Sequence, residues 1–302
     1  MITKLIDIAS KAKTLGRKTR IAVASAEDSN TLGAIVRATR EGFIRPILLG
    51  NANKIKEMLT NQLDLNDCVV IDLPDEIKAA KEAVRMVKSG EADVLMKGLV
   101  GTDKFLKAVL DKEKGLLPPK AVMSYTCALE LPKHHKLLFI SDTAVLTNPD
   151  LDQKIAMINY SVEMARRFGI EKPNVALITA TEKVGAALPV TYEHAMLCKM
   201  AERGQIKNCI MDGPVDVFLA CDPSSLEVKG VSSPLNGDAD ILIFPNLESA
   251  NSFYKGLMLF AGGELAGLIC GTIKPVVVMS RSESENSKYY CLSLACLMAE
   301  EK

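Results

Sequence analysis

Short apolar runs rich in β-branched residues alternate with longer amphipathic stretches along almost all of the 302 residues. This rhythm constrains the fold more than any other feature. The apolar runs fall at 21–24, 46–49, 68–72, 94–96, 121–123, 137–140, 175–179, 209–211, 241–244, 268–270 and 276–279. Between them, helical spacing covers 32–41, 75–89, 151–168, 191–204 and 247–261. Strands that are apolar from end to end and separated by helices belong to parallel sheets covered on both faces. The expectation is an α/β protein with mostly parallel sheet. The rhythm breaks at 115–120, where G-L-L-P-P-K cannot continue a helix. Two strand-like segments follow at 121–130 and 136–141, joined by 131–135, as in a hairpin at a domain junction. A chain of this length exceeds what one core usually serves, so two domains are expected. The last amphipathic stretch, about 284–300, carries Tyr290, Leu294, Leu297 and Met298 on one side and is expected to pack back onto the first domain.

Composition excludes several function classes. Lys plus Arg equals Asp plus Glu at 37 each, so an anionic ligand has to be held by a local cluster and not by a global field. There is no Trp, and the aromatics are not interleaved with basic runs, which argues against a nucleic-acid surface. No apolar run approaches the ~18 residues of a membrane span. Residues 1–20 mix Lys4, Asp7, Lys11 and Lys13 among apolar positions, the pattern of an amphipathic surface helix and not of a signal peptide. None of the eight cysteines forms a C-x-x-C pair, and most sit in apolar runs. Buried free thiols in a reducing cytoplasm are expected, with no metal site among them or His134, His135 and His194.

Four segments place chemistry-bearing residues at the ends of strands. In the first, Lys97 and Gly98 follow the run at 94–96, and Gly101 and Thr102 lead into a helix with Thr102-Asp103 as its cap. Backbone N–H groups in such a turn, the helix N-terminus and the lysine together suit an anion at the carboxyl end of a parallel strand. The plainer reading is an ordinary strand-to-helix turn. In the second, the run at 276–279 enters Ser280, Arg281 and Glu283 before the final helix. Capping by Ser282 or Ser284 explains the serines and acids. It does not explain Arg281, whose planar fork matches phosphate oxygens and whose charge opposes a helix N-terminus. In the third, Asp212, Gly213 and Pro214 read as a turn between a strand and a helix. In the fourth, Asn246 and Asn251 either bond a ligand or cap the helix at 247–261. His134 and His135 read as an exposed loop pair.

The order of these fragments carries more than any one of them. K-G-x-x-x-T, D-G-P, I-F-P-N-L-E-x-x-N-x-x-Y-K and M-S-R-S-acid, with Leu137–Asp142 as L-L-F-I-S-D and 148–151 as N-P-D-L, resemble the phosphate acetyl/butyryltransferase family across nearly the whole chain. Ala180-Thr181-Glu182-Lys183-Val184 and the chain length are similar to its butyryl branch. The resemblance implies two α/β domains of the isocitrate/isopropylmalate dehydrogenase type, 1–124 with 267–302 and 125–266, with the active site in the cleft between them and oligomer contacts through the second. It implies reversible transfer of a short-chain acyl group, butyryl favoured: acyl-CoA plus inorganic phosphate gives acyl phosphate plus coenzyme A. The implied enzyme is cytoplasmic and homo-oligomeric and needs no cofactor. By the same resemblance Arg281 binds phosphate with Ser280 beside it, Glu283 is an acid of the site, and Lys97, Gly98, Gly101 and Thr102 are further phosphate-side contacts. Asp212, Gly213, Asn246 and Asn251 complete the phosphate and coenzyme A contacts.

Two positions depart from the family pattern. Where the acetyl branch has an aspartate seven residues after the motif serine, this chain has Ser287, and where members have an aspartate six after that of D-G-P, it has Phe218. Asp216 is the nearest substitute for the latter. These departures motivate an alternative, a paralogue that binds acyl-CoA or acyl phosphate without turnover. A metal-dependent dehydrogenase of similar architecture is a third reading, for which the sequence offers neither a G-x-G-x-x-G turn nor an acidic cluster.

Overall fold

A computed structural model of the chain describes residues 1–280 and 283–299. In chain order its elements are α1 (Leu5–Lys13), β1 (Thr19–Ala24), α2 (Ser29–Arg40), β2 (Ile44–Gly50), α3 (Ala52–Leu59), a 3-10 turn (Leu65–Asp67), β3 (Val69–Asp72), α4 (Glu76–Lys88), β4 (Val94–Lys97) and α5 (Thr102–Val109). There follow β5 (Ser124–Glu130), β6 (Leu138–Ser141), α6 (Leu151–Arg167), β7 (Asn174–Ile178), α7 (Val190–Glu202), β8 (Ile210–Val215), α8 (Val217–Cys221), α9 (Pro223–Lys229), β9 (Ile241–Ile243) and α10 (Leu247–Ala261). The chain closes with β10 (Glu264–Cys270), β11 (Val276–Val277) and α11 (Glu285–Met298). No described helix is long and apolar enough to cross a membrane.

The chain divides into two compact units, one of Leu5–Met123 with Glu264–Lys302, the other of Met1–Lys4 with Ser124–Gly263. In the first unit the strand order is β3-β2-β1-β4-β11-β10. All its pairs are parallel except β10 with β11. Register aligns Ala24 with Lys97 and Val277 with Met96, so β1, β4 and β11 end side by side. Ile21, Ala22, Val23, Val94, Leu95, Met96, Val276 and Val277 are fully buried, the double-faced burial expected of central parallel strands. The second unit orders its strands β5-β6-β9-β7-β8, parallel apart from the β5–β6 hairpin. Its core includes Phe139, whose ring meets Phe168 edge-on at 5.2 Å.

Most sequence expectations match these elements, with four corrections. The apolar run at 121–123 forms no strand; pairing starts at Ser124. The run at 209–211 extends to Val215, carrying D-G-P inside β8. The final helix does not bury one stripe. Tyr289, Cys291, Leu292, Leu294, Ala295 and Cys296 are all buried while Tyr290, Leu297 and Met298 are half-exposed, because α11 is enclosed by α1, α2 and β10. All eight cysteines are free; four are buried, and Cys198, Cys209, Cys221 and Cys270 are half-buried.

Candidate functional site

In the first unit, the order β2-β1-β4 reverses chain direction at β1, since β1 leads through α2 to one neighbour while β4 closes on the other side. The carboxyl ends of such a pair are where open α/β sheets bind ligands. Lys97 is the last residue of β4 and only 4% exposed, with Nζ donating to its neighbour Gly98's carbonyl at 3.2 Å. Gly98 touches β1 directly. Its amide donates to Ala24 (2.9 Å) and that of Leu99 to Ser25 (2.6 Å). A Cβ on Gly98 would lie 2.1 Å from the Ser25 carbonyl oxygen. Ser25, at φ +54°, forms the opposing wall; sequence reasoning missed it because a lone serine after a strand carries no signal.

The remainder of that turn departs from expectation. Gly101, not Thr102, is the N-cap of α5, and no side chain caps the helix. The Gly101 amide, expected to face a ligand anion, donates instead to Glu76 Oε2 at 3.2 Å, and Glu76 also pairs with Lys104. The positive end of α5 therefore already holds an anion, one supplied by α4. Thr102 is simply the first helical residue. Lys97 and Gly98 remain at the strand edge, whereas Gly101 is engaged away from it.

Ser280 follows β11 beside this edge, and its carbonyl accepts the Glu283 amide at 3.3 Å. Arg281 lies outside the described residues. Ser284 is the N-cap of α11, accepting the Ser287 amide at 3.0 Å, so capping accounts for that serine. Two long-range bonds fix the loop before α11. Asn30 Nδ2 donates to the Glu283 carbonyl at 3.2 Å, and Lys288 Nζ reaches Asp28 at 2.7 Å. Burial alone would raise the Asp28 carboxyl, but the ammonium of Lys288 and the hydroxyl of Thr31 outweigh it and hold the group below its usual range. Lys288 is 2% exposed, and nothing in its local sequence separates it from a surface lysine.

In the second unit, β6 and β9 end side by side, Ser141 opposite Ile243. After β6, the buried Asp142 carboxylate accepts the amides of Tyr125, Ala144 and Val145 at 3.0, 2.8 and 2.9 Å and the Ser124 hydroxyl at 3.0 Å. Burial nonetheless raises its carboxyl above the normal range. Asn251 donates from Nδ2 to the Thr143 carbonyl at 2.8 Å, which ties α10 to this loop. Asn246 caps α10, accepting the Ser249 amide at 2.9 Å. Of the two roles open to these asparagines, the structure gives both a backbone partner. The D-G-P segment is a bulge and not a turn, because register shifts between Ala176 and Ile178 opposite it. Gly213 is required there, since a Cβ would lie 2.6 Å from Leu177 Cβ. Asp212 Oδ1 accepts the adjacent Gly213 amide at 2.9 Å. Asp216 cannot stand in for the residue replaced by Phe218. It caps α8 through the Leu219 amide and pairs with Lys229 at 2.6 Å, while Phe218 is 72% exposed.

None of the described groups resembles an activated nucleophile. Burial, with Asp212 adding to it, pushes the Cys198 thiol up to about 12, and burial takes Cys221 to about 11. The His134 and His135 rings lie 4.8 Å apart, tilted by 58°, in the hairpin loop, and His135 meets Asp238 at 3.0 Å. No group of three or more His, Cys, Asp or Glu among the described residues could hold a metal ion. What the first unit offers is a buried ammonium, a backbone turn and a serine hydroxyl at one sheet edge, an arrangement suited to an oxyanion.

The phosphate acetyl/butaryl transferase model matches residues 75–296. The chain is 40% identical to the phosphate butyryltransferase of Clostridium acetobutylicum over all of both chains. It is 38% identical to the phosphate acetyltransferase of Thermotoga maritima over 99% of each. Among solved structures, a branched-chain phosphotransacylase from Enterococcus faecalis superposes with a TM-score of 0.81 at 28% identity, covering 94% of this chain and 100% of that one. A phosphotransacetylase from Streptococcus pyogenes shares the fold, at a TM-score of 0.80 and 20% identity. This chain belongs to the phosphate acetyl/butaryl transferase family.

Proposed function

We propose that the chain catalyses reversible transfer of a short acyl group between coenzyme A and inorganic phosphate, butyryl being the favoured group. Kinship over the full chain with a phosphate butyryltransferase supports the reaction class. The observation that carries the site is the buried Lys97 where β1, β4 and β11 end together, with Ser280 in the segment that follows β11. A lysine ammonium at the carboxyl edge of parallel strands is a suitable donor to an oxyanion, and phosphate or acyl phosphate is such an anion. Arg281 is assigned the phosphate and the developing oxyanion, with Ser280 donating beside it and Glu283 close by. The transfer is direct, in a ternary complex: phosphate oxygen attacks the thioester carbon, the tetrahedral oxyanion collapses, and the thiolate leaves. The raised thiols of Cys198 and Cys221 give no support to an acyl-enzyme. No metal or redox cofactor enters this scheme.

The finer architecture belongs to the same proposal. The isocitrate/isopropylmalate dehydrogenase type with a shared cleft rests on family membership. A homo-oligomer is supported by large apolar side chains exposed in the second unit: Val228 and Phe260 at 86% and Leu259 at 76%. The test is release of free thiol from acetyl-, propionyl-, butyryl- and valeryl-CoA with phosphate or arsenate. Turnover is expected to be fastest with butyryl-CoA, insensitive to chelator, and lost by ~10²-fold or more in Arg281→Ala and Lys97→Met. Binding of coenzyme A without turnover at any chain length would make the protein a non-catalytic binder instead.

A further inference from the structure

Acyl transfer to coenzyme A needs a proton acceptor, because a thiol with a pKa near ~8.5 is mostly protonated at neutral pH. β10 runs antiparallel to β11 with Ile269 opposite Val276. Because β10 runs opposite to β11, Glu264, the first residue of β10, lies towards the carboxyl end of β11. The Glu264 carboxylate is held from α11. Oε2 accepts the Ser284 hydroxyl at 2.7 Å and the Ser287 hydroxyl as well. Ser287 is fully buried and takes the Leu265 amide at 3.0 Å, so its hydroxyl hydrogen is committed to Glu264. The other oxygen, Oε1, accepts no bond from any described residue, and the side chain is only half-buried.

Other carboxylates along this edge are differently engaged. Asp28 is locked to Lys288 and Thr31, and Glu27 Oε1 accepts the Asn51 amide. Glu285 stands against Gly33 and lines a surface groove with Arg37, Arg40 and Gln62. Glu264 combines one oxygen fixed by two hydroxyl donors with a second oxygen open to a substrate proton.

Resting on the function proposed above, we infer that Glu264 is the base for the coenzyme A thiol, with Ser284 and Ser287 as its positioning residues. As sulfur bonds to the acyl carbon of acyl phosphate, the thiol proton passes to Glu264 Oε1. The carbon–oxygen bond to phosphate then breaks, phosphate leaves with that electron pair, and the carboxyl returns its proton to solvent. In the opposite direction the protonated carboxyl delivers a proton to the departing thiolate. The position occupied by Ser287 thus serves the reaction by orienting a carboxylate that arrives from the neighbouring strand. Of the first-unit helices packed against β10, α1 carries Asp7, Lys11 and Lys13 and α11 carries Glu285 and Lys288, none of them a histidine.

The test is Glu264→Gln in the full-length protein, whose amide oxygen can still accept both serine hydroxyls. At pH 7, kcat for acyl transfer to coenzyme A is expected to fall ~10²-fold while the KM for coenzyme A stays within about twofold. The deficit is expected to shrink as pH approaches ~8.5, where the thiol ionises unaided. Glu264→Asp should recover part of the rate. A loss that is equal at every pH would make Glu264 a structural clamp and overturn the proposal, as would unchanged kcat or the pH-dependent loss appearing in Glu283→Gln instead. Should Glu264→Gln not fold, Glu264→Asp carries the test, and full kcat there refutes the assignment. A wild-type protein that releases no thiol would instead refute the function proposed above.

Discussion

Gly98→Ala is the sharpest probe of the sheet edge on which the site is built. A methyl group at this position would lie 2.1 Å from the Ser25 carbonyl oxygen and 2.9 Å from that of Ala24, whereas real Cβ contacts essentially never fall below 3.0 Å. Both obstacles are backbone, so no side chain can rotate away, and the two turns have to part by about 0.9 Å. Overpacking of this kind costs about 1–3 kcal/mol. The separation also stretches the Gly98–Ala24 and Leu99–Ser25 hydrogen bonds, each contributing about 1 kcal/mol. A total near 2–4 kcal/mol follows, read as a lower urea midpoint at unchanged m. Lys97 moves with the turn, and a displacement near 1 Å at a reacting centre costs up to ~10² in rate. Gly256→Ala is the control. That glycine lies inside α10 with nothing within 4 Å of the added carbon, and the change should be neutral or stabilise by up to ~1 kcal/mol. If Gly98→Ala matched the wild type in midpoint and thiol release, the contact between the β1 and β4 turns would not be what holds Lys97.

Two further perturbations test other supports. His194 is 1% exposed with no partner for Nδ1, and burial, aided by Lys154 and opposed by Glu193, lowers it from 6.5 to about 4. The folded state therefore refuses a proton that the unfolded chain accepts. This stability is intact above pH 6.5 and declines as pH falls towards 4, by up to about 3 kcal/mol. His194→Gln should flatten that part of a urea-midpoint profile, and an unaltered acid slope would refute the assignment. Lys288→Met should destabilise the protein by about 3–5 kcal/mol by leaving Asp28 an unpaired, partly buried charge, and adding Asp28→Asn should recover much of the loss. Wild-type stability of Lys288→Met would show that the pair contributes nothing, and a double variant no more stable than the single one would show that the unpaired Asp28 charge is not the cause of the loss.

Fold class was legible because central parallel strands are apolar almost throughout, as at 94–96 and 276–277, and amphipathic helices separate them. The errors arose where apolar character and pairing part company. Residues 121–123 are apolar yet precede the hairpin, and D-G-P, a turn signal in most settings, sits in a bulge inside β8 because Leu177 leaves room only for glycine. At the site, Lys97 and Gly98 were legible from local pattern, a strand end followed by a residue without a side chain. What stayed hidden depends on partners distant in sequence. Glu76 takes the Gly101 amide from 25 positions away, Ser287 meets Glu264 across 23, and Lys288 meets Asp28 across 260. Asn246 and Asn251 read equally well as caps or ligand contacts, and the partner of Asn251, the Thr143 carbonyl, lies 108 positions away.

These hidden partners explain how a chain with equal numbers of acidic and basic residues can present a cationic edge. Acids are plentiful around the ends of β1 to β4, and any of them left free would oppose an incoming phosphate. Four of them instead meet donors. Glu27 Oε1 accepts the Asn51 amide, Asp72 accepts the Ala52 amide at 3.0 Å, Asp28 takes Lys288, and Glu76 takes Gly101 and Lys104. Three of these donors, Asn51, Ala52 and Gly101, stand at the starts of helices, where a carboxylate interacts favourably with the dipole and its field is partly offset. Lys97, at the centre of the same edge, is buried between β1 and β11, whose residues aligned with the end of β4 are apolar. Local positive potential therefore arises from the placement of charges and not from their number. Replacing Glu76 by Gln tests this directly: it keeps an acceptor for the Gly101 amide but removes the negative charge from the positive end of α5, and should strengthen phosphate binding, measured as a lower KM for phosphate, whereas weaker binding would mean that Glu76 holds the turn in shape and that neutralisation is incidental.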